Sequence, residues 1–113
     1  MVEQYPVTVN DDAAVDHVAD VVREVFGEHR HVRWSEPLAA AEDFSRILET
    51  APGCFIGLSA CLPELDPATA PTNHSAYCRF DDSVIADGAT LLAELAHRHL
   101  APPAQQRDRK SFV

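Results

Sequence analysis

The sequence has no run of about 18 apolar residues, so it contains no membrane span. It has little positive charge. Nine Lys and Arg stand against eighteen Asp and Glu, for a net charge of −9. A chain this acidic is repelled by a phosphate backbone, which argues against nucleic acid as a partner. It has three cysteines, Cys54, Cys61 and Cys78, an odd number with no CxxC pair. That fits a reducing cytoplasm better than a disulfide scaffold. Met1 to Asn10 has neither a basic start nor an apolar stretch, so no secretory signal is expected. Internal repeats and low-complexity blocks are absent as well.

The 113 residues are enough for one domain, or one piece of a larger one. Hydrophobic residues make up 46% and charged residues 24%, which excludes disorder of the whole chain. Tyr5 to Val9 alternates and is rich in Val and Thr, as a short strand does. Asn10, Asp11 and Asp12 offer caps for a helix carrying Val15, Val18, Val22 and Val25 on one stripe, with Gly27 as its stop. His31 to Trp34 reads as a second short strand. Ala39 to Ala51 reads as a second helix with Phe44, Ile47, Leu48 and Ala51 inward.

Cys54 to Leu58 is a compact apolar run that suits a buried strand. Pro63 to Pro71 is loop, and Tyr77 to Phe80 a short extended piece. A last helix places Ile85, Gly88, Leu92 and Leu95 on one face. The expected fold class is therefore α/β, a partial mixed sheet with flanking helices. Residues 1–100 form the folded segment and 101–113 a frayed polar tail.

Three groups of residues invite chemistry. His74 sits between Asn73 and Ser75 in a Pro-rich loop, where small polar neighbours leave an imidazole accessible. Glu42 and Asp43 follow three alanines at an expected helix start; the same carboxylates also stabilise a helix dipole without any ligand. The three cysteines with His74 would make a Cys₃His zinc set, but the spacing lacks the usual tight pairs. His97 and His99 are two apart on a helix and point to different sides. His29 and His31 flank a strand start in a charged, solvated stretch, and His17 lies on the polar side of the first helix.

Taken in order, the blocks Tyr5-Pro6-Val7-Thr8-Val9-Asn10-Asp11, Glu36-Pro37, Glu42-Asp43-Phe44-Ser45, Pro52-Gly53, Asn73-His74-Ser75 and Phe80-Asp81-Asp82 resemble one family. They are similar to the C-terminal part of the two-metal amidohydrolases. These include N-acyl-amino-acid amidohydrolases, hippurate hydrolases, indole-acetyl-amino-acid hydrolases and related carboxypeptidases. The resemblance runs from Tyr5 to about Leu100.

It implies a mixed-sheet catalytic domain with an inserted lid, of which this chain matches only the segment after the lid. His74 matches the family's last metal ligand, Asn73 and Ser75 flank it, and Glu42 and Asp43 match a block near the site. The family chemistry uses two divalent ions, Zn, Mn or Co, about 3.5–4 Å apart, to polarise the amide and activate water. A carboxylate carries the proton to the leaving amine. In the family the other ligands and this base come from before the lid. Two positions depart from the pattern: Ala39 where Met is frequent, and Ser59 where Gly is usual.

The resemblance thus implies a portion of a hydrolase of N-acyl amino acids that is inactive by itself and holds no ion tightly. It is completed by an N-terminal half or by homo-oligomer contacts. A non-catalytic remnant serving as a binding or assembly module is the alternative.

Overall fold

In the computed structural model, residues 5–37 and 42–101 are described. They form three α-helices, α1 (Asp12–Phe26), α2 (Phe44–Leu48) and α3 (Val84–Leu100), with a 3₁₀ turn over Glu28–Arg30. The chain divides into two compact units, Met1–Ile56 and Gly57–Val113. The tail 102–113 and the alanines at 39–41 lie outside the described residues.

In the first unit, α1 begins where the Asp11 carboxylate accepts a 2.9 Å bond from the Ala14 N–H. Asp12 adds negative charge to the positive end of the helix. Valine is a middling helix former, so burial holds this helix. Val15, Val18, Val22 and Val25 are half-buried, and Ala19 and Val21 are fully buried beside them. The helix stops at Gly27, whose φ of +94° suits glycine, while its N–H closes the last turn on the Arg23 carbonyl. Arg23 then ties the next turn down, with Nε 3.1 Å from Glu28 and Nη2 3.2 Å from His31 Nδ1.

The expected mixed sheet is not formed: the described residues contain no strand. The hydrogen bonds give the reason. A ladder needs successive peptide groups to pair with one another. Between the segments around Asn10 and Phe55 a single main-chain bond is made among the described residues, Asp11 N–H to Gly53 carbonyl at 2.9 Å. The neighbouring peptide is met by a side chain instead. Asn10 Oδ1 accepts from the Phe55 N–H at 2.8 Å, and Asn10 Nδ2 donates to the Phe55 carbonyl at 3.1 Å. The run Cys54 to Leu58 is also not buried, with Phe55, Ile56 and Leu58 at 43, 40 and 50% exposed. Tyr5 to Val9 and His31 to Trp34 likewise form no strand.

α2 is shorter than the helix expected over Ala39 to Ala51. Its buried residue is Ser45, not the expected apolar face; Ile47 is 55% exposed. The Ser45 hydroxyl donates to the Glu42 carbonyl at 2.6 Å. Phe44 packs on Phe55 with ring centres 5.6 Å apart.

In the second unit, residues 57–83 run through turns. Asp66 shapes the proline loop: its carbonyl accepts from Thr69 and Ala70, and its carboxylate from Ala68. The Asp81 N–H reaches the Ala60 carbonyl at 2.9 Å. The Asp81 carboxylate accepts from the Ser83 N–H just before α3. The half-buried side of α3 runs through Val84, Gly88, Leu91 and Leu95. Of the face expected from the sequence, Gly88 and Leu95 lie on that side, while Ile85 and Leu92 are 66 and 67% exposed.

Candidate functional site

The loop around His74 is built from two consecutive turns. The Ser75 N–H bonds to the Thr72 carbonyl at 2.9 Å, placing Asn73 and His74 at the corners. The Cys78 N–H then bonds to the Ser75 carbonyl at 3.1 Å, and the Ser75 hydroxyl accepts from the Tyr77 N–H at 3.2 Å. Asn73 and His74 are exposed and Ser75 is half-buried. Ser75 therefore shapes the turn that presents the imidazole. Small polar residues can do this because their side chains bond their own backbone.

Glu42 and Asp43 belong to the first unit. They lie just before α2, not within its first turn. Glu42 is half-buried and Asp43 exposed. Their carbonyls accept from the Ser45 and Arg46 N–H groups at 3.3 and 2.9 Å. The Ser45 and Arg46 amides at this helix start are thus bonded within the chain.

A cleft of about 600 Å³ in the first unit lies between residues 9–12 and 48–53. Asp11, Asp12 and Glu49 line it, and Glu42 and Asp43 do not. Asp11 is already occupied in capping α1. The adjacent Cys54 thiol is pushed up, by burial first and by the Asp11 carboxylate second, so it stays protonated and is a poor metal ligand. Cys54, Cys61 and Cys78 are all free thiols. The Cys61 Sγ lies 3.6 Å from the Leu62 carbonyl and 3.8 Å from that of Leu65, so it is engaged within its own turn. Asp81 is held below the usual carboxylate range by the Ser83 side chain and then by the Ser83 N–H.

Among the described residues, no three His, Cys, Asp or Glu side chains converge as a metal site. These residues alone do not fit a divalent ion. One imidazole on a turn competes poorly with water, since stable sites supply three or four protein ligands. The feature that sequence reasoning missed is the Asn10 bracket on Phe55. Asn10 looked like a helix cap, and only its position opposite Phe55 reveals the other use. No helix among the described residues is long and apolar enough to cross a membrane.

Residues 1–98 match Peptidase family M20/M25/M40. The chain is 33% identical over 96 residues to hippurate hydrolase of Campylobacter jejuni, covering 84% of this chain and 23% of that protein. It is 35% identical over 96 residues to thermostable carboxypeptidase 2 of Saccharolobus solfataricus, covering 85% of this chain and 23% of the relative. It is 31% identical over 96 residues to an IAA-amino acid hydrolase of Arabidopsis thaliana, covering 85% and 21%. The chain therefore spans under a quarter of the length of these relatives. No solved structure matches it. With the match reaching from residue 1 to residue 98, this chain belongs to the M20/M25/M40 peptidase family of hydrolases.

Proposed function

We propose that the chain is the C-terminal portion of a metal-dependent hydrolase that cleaves the amide bond of N-acyl amino acids, and that it does not turn over substrate alone. One observation carries this reading: a family match over nearly the whole chain that spans only 23% of a hippurate hydrolase. Hippurate and IAA-amino acids are both acyl groups joined to an amino acid, which supports that substrate class.

In this reading His74 supplies one metal ligand. Glu42, Asp43, Asn73 and Ser75 contribute to the wall around the site. The remaining ligands and the proton-carrying base come from an N-terminal portion, on a separate chain or through homo-oligomer contacts. The partners are thus the substrate and that complement, with neither nucleic acid nor membrane. The cytoplasm is the setting that keeps three free thiols reduced.

The experiment is to assay N-acyl-amino-acid hydrolysis by the chain alone and with the N-terminal portion of a related enzyme, adding Zn²⁺, Mn²⁺ or Co²⁺. The expected result is no turnover alone and metal-dependent turnover with the complement. His74→Ala should lower that turnover by more than the roughly 10–100-fold that loss of an outer-shell partner costs. Turnover by the single chain, abolished by His74→Ala, would overturn the fragment reading. A complex without turnover would favour the binding module instead.

A further inference from the structure

We draw no further inference here: the strongest candidate, the cleft of the first unit that Asp11, Asp12 and Glu49 line, rests on a cluster of acidic side chains with no second observation that points to a ligand, and its Asp11 is already engaged in capping α1.

Discussion

The Asn10 carboxamide takes one bond from the Phe55 N–H and gives one to its carbonyl, at 2.8 and 3.1 Å. It does for that peptide what a neighbouring strand residue would do. Asn10→Ala removes both bonds and should cost about 1 kcal/mol, since the bonds are solvent-exposed, as read by urea unfolding. Asn10→Asp keeps the acceptor but sets a carboxylate oxygen against the Phe55 carbonyl and beside Asp11 and Asp12, so it should cost at least as much. Asp11, its neighbour, caps α1 and also holds the Cys54 thiol up, after burial. Asp11→Asn preserves the cap, because Asn and Asp cap equally well. It removes the charge, so Cys54 should be alkylated faster at mildly alkaline pH, with helix content unchanged. Unchanged labelling would show burial to be the whole cause. The cap was legible from the sequence because it depends on residues three apart. The bracket joins residues 45 apart in sequence and was not.

At the level of elements, the helix stops and starts give two further predictions. Gly27 stands at φ +94°, ψ 158°, a region almost closed to other residues. A Cβ there would also lie 3.1 Å from two atoms of the His29 ring. Gly27→Ala should therefore destabilise the first unit by about 1–3 kcal/mol, measured by the urea midpoint. The approach to α3 is set by Asp81, whose carboxyl is lowered by Ser83.

A lowered carboxyl contributes stability that is fully present above the ordinary aspartate range. That contribution fades as pH falls through the depressed value. Amide exchange at Val84 and Ile85 should accordingly speed up in acid. In Asp81→Asn, whose side chain still accepts from Ser83, that acid dependence should vanish. α1 and α3 could be placed from their caps, stops and apolar spacing. The strands could not. An apolar run gives the propensity of a segment, while a strand exists only with a neighbour to bond, and that neighbour is not encoded in the run.

Across the whole chain, the apolar residues buried among the described ones are Ala19 and Val21, with Ser45 the buried polar one. Tyr5, Val7, Val9, Val32, Trp34 and Phe80 are all more than half exposed. A core this small yields little surface change on unfolding. The isolated chain should therefore bind the dye ANS and unfold broadly with a low urea slope. Adding the complementary portion should quench the dye and sharpen the transition. A sharp transition without dye binding would show that the chain covers its own apolar surface.

The sequence by itself determined the family, the acidic charge, both long helices and the loop that carries His74. Those features rest on residue identity in a fixed order and on spacings within a few turns, which a linear reading captures. The tertiary structure decided what long-range pairing controls. It replaced an expected ladder with a side-chain bracket from Asn10. It shortened the helix after Asp43 and buried Ser45 in place of Ile47. It also turned Ile85 and Leu92 of α3 away from the covered side. An apolar stripe states that a surface is to be covered; which of two apolar sides is covered within the chain depends on what the rest of the chain can bring against it.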